Sequence, residues 1–81
     1  MKRRTFEAAM YDSAGNELAS ANRYAMNSGI RASEELVRSH ARTEGARYVA
    51  DKPAREGDVY TRQWTNETTG RTVTVRVQPT A

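Results

Sequence analysis

With 81 residues and no cysteine, the chain has room for one small domain (residues 1–81), and disulfide scaffolds, thiolate zinc sites, iron–sulfur clusters and cysteine nucleophiles are excluded. Charged residues make up 28% and hydrophobic residues 37%, a polar balance, yet the apolar residues fall in periodic runs unlike those of disordered chains. The net charge of +3 is a mild excess of base, carried by arginine everywhere except Lys2 and Lys52. Arginine suits bidentate contact with carboxylate or phosphate, and it is also what GC-rich coding supplies.

Lys2, Arg3 and Arg4 form a short basic head. Glu7 and Asp12 interrupt any apolar run behind it, so a signal peptide is not expected. No stretch approaches the roughly 20 apolar residues of a membrane span. A soluble protein of the cytoplasm is the expectation.

Alternation then sets in, with Phe6, Ala8 and Met10 on one strand face and Thr5, Glu7, Ala9 and Tyr11 on the other. Residues 12–16 read as a type I turn closed by a Gly15 bulge. A second strand is expected over residues 17–26. If Asp12 faces Asn16, Met10 lies opposite Leu18 and Ala8 opposite Ser20, which puts Leu18, Tyr24 and Met26 on the Phe6 face. Between them, Ala19, Ser20, Ala21 and Asn22 leave that face thin.

Residues 28–44 carry the one sustained helical pattern, with Ser28 as the expected N-cap. Ile30, Ser33, Leu36, Val37, His40 and Ala41 form the inward side, and Arg31, Glu35, Arg38 and Arg42 the outward one. Gly45 is the expected C-cap, because it takes the left-handed conformation without steric cost. A short strand follows over residues 47–50. Residues 51–58 read as a charged loop in which Pro53 forbids regular pairing.

The last hairpin joins residues 59–65 to 71–78. Its register sets Trp64 opposite Val73 and Tyr60 opposite Val77, so Val73, Val75 and Val77 share a face with the two aromatics. Arg62 falls opposite Val75 and must either snorkel past the core edge or mark a bulge. Thr72, Thr74, Arg76 and Gln78 form the outer face, and residues 79–81 a frayed tail.

No motif carries catalytic chemistry. His40 is the only histidine, and Ser33 and Glu44 stack along its helix without converging on a substrate. Neither GxSxG nor HExxH occurs, and no second His or Cys completes a metal set. Glu34 and Glu35 point about 100° apart around a helix, which rules out a glycosidase-type pair. Glu35 is placed to bridge Arg31 and Arg38. The widely spaced glycines build no phosphate loop. The chain is therefore expected to be no enzyme, with no cofactor and no metal.

The arginines carry what functional content there is. Arg31, Arg38 and Arg42 form a helix stripe, and with Tyr11, on the sheet face away from Phe6, they are the candidate contacts to a protein or nucleoprotein partner. A nucleic-acid module is the alternative, using Lys2, Arg3, Arg4, Arg31, Arg38, Arg42, Arg62 and Arg76 through a basic helix or an Arg-bearing ribbon. Interspersed Glu34, Glu35 and Glu44 weigh against it. A homodimer is one way for so small a domain to bury more surface.

The expected fold is α+β, one helix packed on an antiparallel sheet in the order ββαβββ. In size and layout the chain resembles small proteins of phages and mobile elements, several anti-CRISPR inhibitors among them, a likeness of type that rests on no shared motif. That likeness implies a small inhibitor that works by occupying a surface of a larger partner.

Overall fold

In the computed structural model, which describes residues 5–80, the alternating segments pair into one antiparallel sheet and the helical segment lies across one of its faces. The elements are β1 (Phe6–Asp12), β2 (Glu17–Arg23), α1 (Met26–Glu44), β3 (Tyr48–Ala50), β4 (Ala54–Glu56), β5 (Val59–Asn66) and β6 (Thr72–Pro79). The strand order is β2-β1-β6-β5-β3, with β4 also paired to β5, so β3 and β4 share one edge and β2 forms the other.

The central pair is β1 and β6, where Ala8 faces Val77 and Met10 faces Val75. Both are apolar on alternate residues, so pairing them in the middle buries one full face of each. With Tyr60 and Val73 from the sheet and Ala32 and Val37 from α1, these residues make the core. The helix packs mainly on β1, β2 and β6.

The C-terminal hairpin has the register its alternation predicts, Tyr60 opposite Val77, Arg62 opposite Val75 and Trp64 opposite Val73. Asn66 is buried at the turn, where its Oδ1 accepts the N–H groups of Thr68 (2.8 Å) and Thr69 (3.2 Å). Arg62 snorkels, and no bulge is needed. Its Nε donates to the Asp51 carbonyl (2.7 Å) and its guanidinium lies 5.3 Å from the centre of the Trp64 ring.

Four sequence expectations are corrected. The turn after β1 is as expected, with Asp12 N–H to Asn16 O (2.9 Å), Gly15 N–H to Asp12 O (3.0 Å) and Gly15 at φ 88°. A further bulge follows, so that Met10 faces Ala19, Ala8 faces Ala21 and Tyr11 faces Glu17. Leu18 is the extra residue, and it and Tyr24 are 41% and 69% exposed instead of lining the core. The helix crosses this part of the sheet, and the bulge delivers the small Ala19 and Ala21 beneath it.

The helix also starts earlier, at Met26, which ends β2 at Arg23. Its N-cap is Ala25, in extended conformation, and no side chain caps it. Ser28 lies within the first turn and its hydroxyl donates to the Ala25 carbonyl (3.3 Å), so it cannot serve as the cap. Starting at Met26 lets that side chain reach the core from the helix. Gly45 closes the other end in the left-handed conformation at φ 65°, as expected, with Ala46 N–H bonded to Ala41 O (2.9 Å).

Lastly, residues 54–56 do pair, forming β4 on β5, because Pro53 sits just before that strand and so interrupts only the stretch between β3 and β4. The tail is also better tied than expected: Pro79 ends β6, and Thr80 N–H bonds Thr5 O (2.9 Å). The basic head, Lys2, Arg3 and Arg4, lies outside the described residues.

Gly29 is buried inside the helix, where an added Cβ would stand 2.7 Å from Val77 Cγ1. Alanine has the better helix propensity by about 1 kcal/mol. Against that stands a fully buried valine with nowhere to move. Gly29→Ala should therefore lower stability by a net of about 1–2 kcal/mol in urea denaturation. Combined with Val77→Ala, it should cost much less than it does alone. A higher urea midpoint for Gly29→Ala would show slack between helix and sheet.

The Asp12 carboxylate accepts the N–H groups of Asn16 (2.9 Å) and Ala14 (3.0 Å). The Asn16 backbone contact is the main reason its pKa falls below the usual 3.8. A depressed folded value means the carboxylate stabilises the fold above the unfolded pKa and loses that contribution as pH falls through the folded one. The stability gap between wild type and Asp12→Ala should thus be widest near neutrality and close in acid. A gap that widens in acid would contradict this.

Candidate functional site

Because α1 covers one face only, the opposite face of the sheet carries no element among the described residues. Strand alternation determines what stands on it. One row across the sheet reads Ser20, Ala9, Arg76, Thr61 and Ala54. The next brings together Tyr11, Thr74 and Gln63. On the other side of the Arg76 row lie Asn22, Glu7 and Gln78.

A shallow trough runs over β5 and β6 on this face. A depression of about 850 Å³, bounded by Ala54, Arg55, Glu56, Val59, Thr61 and Gln78, adjoins one of about 450 Å³ bounded by Tyr11, Asp12, Gln63, Thr72 and Thr74 among others, and Arg76 borders both. Neutral hydrogen-bonding side chains surround Arg76 in the trough, Arg55 and Glu56 line its β4 end and Asp12 its far end, and Glu7 lies on the same side of the sheet. Arg76 forms no ion pair among the described residues. Such a surface can hydrogen-bond a polar chain and receive a carboxylate at its centre. It lacks the row of cations that follows a phosphate backbone.

The remaining sequence candidates are divided by the sheet. Tyr11 lies half-buried on the open face with Arg76. Arg31, Arg38 and Arg42 lie exposed on α1, on the other side. Arg38 is held by Glu35 at 2.7 Å and Glu34 at 3.7 Å, whereas the expected bridge from Glu35 to Arg31 is not made. Arg62, on the helix side, is engaged by Asp51 and Trp64. The structure therefore brings Tyr11 and Arg76 to one surface and leaves the helix stripe on another. Thr61 and Gln63 complete the trough. The sequence signal for them is the alternation of β5, which sets Thr61 and Gln63 on the face opposite Tyr60 and Trp64.

His40 belongs to a separate cluster at the C-terminal end of α1. Its Nε2 is 3.4 Å from Glu44 Oε2, and its ring centre is 5.7 Å from that of Tyr48, tilted by 53°. The Tyr48 hydroxyl donates to Glu44 Oε1, so one carboxylate serves both partners and ties α1 to β3. Ser33 is turned away, its hydroxyl donating to the Ile30 carbonyl (2.6 Å). A cleft of about 240 Å³ opens beside the cluster, bounded by Asp12, Leu18 and Arg71 among others. Among the described residues, no group of three or more His, Cys, Asp or Glu is placed to hold a metal ion, and no helix is long and apolar enough to cross a membrane.

No family model, curated protein or solved structure matches the chain.

Burial, and next the hydrogen bond to Glu44, lift the Tyr48 phenol above its ordinary pKa of 10.0. Followed by ring-carbon NMR, Tyr48 should titrate above that value, and Glu44→Gln should bring it part of the way back. A raised folded pKa means the stabilisation is complete below 10.0 and is lost as pH rises through the folded value. An unchanged titration in Glu44→Gln would show that burial alone sets it.

Proposed function

We propose that this chain is a non-enzymatic binding protein that occupies a surface of a larger macromolecular partner, with the open sheet face around Arg76 and Tyr11 as its contact surface. The observation that carries the reading is the uncovered trough, where Arg76 stands unpaired among the described residues while Arg38 and Arg62 are both engaged. An uncovered antiparallel face is common by itself. What distinguishes this one is a tyrosine and an arginine, types that dominate interface hot spots, over a polar floor that can satisfy a partner's hydrogen bonds. Steric occupation, as in the small phage and mobile-element inhibitors that the chain resembles in size and layout, is the mode of action proposed.

A nucleic-acid module receives less support. Arg62 and Arg76 point to opposite sides of the sheet, and the helix stripe is tempered by Glu34 and Glu35. No single surface among the described residues gathers the cations such a module needs.

The test is a set of pull-downs read by mass spectrometry, with folding of each variant checked by circular dichroism. Arg76→Glu should weaken capture of the wild-type partner by about tenfold or more, in the range of an interface hot spot. A double Arg31→Glu and Arg42→Glu variant should retain it. The reverse pattern would move the contact surface to α1. Labelled DNA and RNA titrated at two salt concentrations should show no tight binding. Steeply salt-dependent binding would overturn the protein-partner reading in favour of phosphate contacts.

A further inference from the structure

Charge is divided unevenly between the two sides of the sheet. The chain as a whole carries a net charge of +3. The charged strand residues that alternate onto the open face are nevertheless Glu7, Glu17, Glu56 and Arg76, three acids and one base. Arg23, Arg55 and Arg62 alternate to the helix side, opposite Phe6, Tyr60 and Val75, although Arg55 still borders the trough at its β4 end. None of the four charged residues of the open face forms an ion pair among the described residues. The open face is acidic within a basic chain.

These charges are also ordered in space. The two depressions meet at Arg76 and form one path, from Glu56 on β4 to Tyr11 and Gly15 beside Glu17. Glu17 lies across from Tyr11 and Thr74, two strands to one side of Arg76 and two residues along. Glu56 lies across from Val59, two strands to the other side and displaced in the opposite sense. With strands about 4.8 Å apart and same-face residues about 7 Å apart, each acid stands roughly 12 Å from Arg76, on a line through it. Ala9 and Thr61, the neighbours of Arg76 across the ladder, are small enough for a chain to lie over them. Glu7 flanks the path on β1.

We propose that the trough holds an extended segment of a partner protein in which one carboxylate is flanked on both sides by a lysine or arginine about four residues away. The inference rests on the open face being the contact surface, and it specifies the chemistry of what that surface contacts. An extended chain advances about 3.3 Å per residue and returns to the same side every second residue, so positions four apart span about 13 Å and face the same way. The central carboxylate meets the Arg76 guanidinium as a charge-assisted pair, and the two bases meet Glu17 and Glu56. A uniformly acidic segment gains one attraction and meets repulsion from the acids around it. A uniformly basic one sets a cation against Arg76. A phosphate backbone fails for the same reason as the acidic segment. Electrostatic complementarity therefore selects the mixed pattern over all three.

Selection from a library of displayed random peptides, with the folded full chain as bait, should enrich peptides that carry Asp or Glu between two Lys or Arg at that spacing. A synthetic copy of an enriched peptide, followed by fluorescence anisotropy, should bind Arg76→Glu about tenfold or more weakly than wild type. Replacing its central acid by lysine should restore binding to Arg76→Glu, because the attraction is reversed in sense and kept in place. Glu17→Lys combined with Glu56→Lys should lower affinity for the original peptide several-fold, and Arg31→Glu, on α1, should change nothing. Circular dichroism verifies that each variant is folded. Absence of enrichment, enriched peptides without the pattern, or binding indifferent to Arg76→Glu would each overturn the proposal. A dimer of the chain in sedimentation that Arg76→Glu dissolves would give the trough to a second copy instead. Should the peptides fail while Arg76→Glu still abolishes partner capture in the pull-downs, the contact surface stands and only the charge pattern falls. Should capture also ignore Arg76→Glu, both fall.

Discussion

The approach of α1 to the central strands at Gly29 is the contact on which the rest of the architecture depends. With no side chain there, the helix comes to rest directly on Val77, in the middle of the sheet. A helix that close to the strands tolerates only small residues beneath its flank, and the edge strand meets this condition with Ala19 and Ala21. The bulge in β2 is the consequence. It removes Leu18 from the register and moves the alanines inward by one position. The low bulk of β2, a weakness when seen as part of a core, is what close helix packing requires.

That same placement governs which surfaces remain available. α1 packs on β1, β2 and β6, and the clustered core side chains of the sheet point towards it, whereas the buried Ala9 stands on the other face. Every alternate residue of the central strands is thereby committed to the opposite, uncovered face. The polarity of that face follows from the arithmetic of alternation: once Val73, Val75 and Val77 are inside, Thr74, Arg76 and Gln78 must be outside. Arg62 shows the rule from the other side. It falls on the helix face by the same alternation, and the fold accommodates it by laying its guanidinium on Trp64 and tying its Nε to Asp51.

Cationic side chains are consequently spread over three environments. Arg38 is neutralised along α1, Arg62 is absorbed at the sheet margin, and Arg76 stands in the trough. Charge counting along the chain cannot separate these roles, because an ion pair depends on rotamers and neighbours as much as on spacing. Glu35 is equally well spaced for Arg31 and Arg38, yet it joins Arg38 alone.

The sequence by itself determined the α+β class, the helix end at Gly45, the turn at Asp12–Gly15 and the full register of the C-terminal hairpin. Each of these follows from a local rule: strand alternation, a left-handed cap, or a loop whose length sets the pairing. The separation of Tyr11 from Phe6, and of Thr74 and Arg76 from the valines, was legible for the same reason. Only the tertiary structure decided the bulge at Leu18, the start of α1 at Met26, the strand after Pro53 and the meeting of Tyr11 with Arg76. Those outcomes turn on how near the helix comes to the sheet and on the pairing of β1 with β6, two segments at opposite ends of the chain. No local pattern encodes a contact of that range, since it is chosen by the fit of whole surfaces.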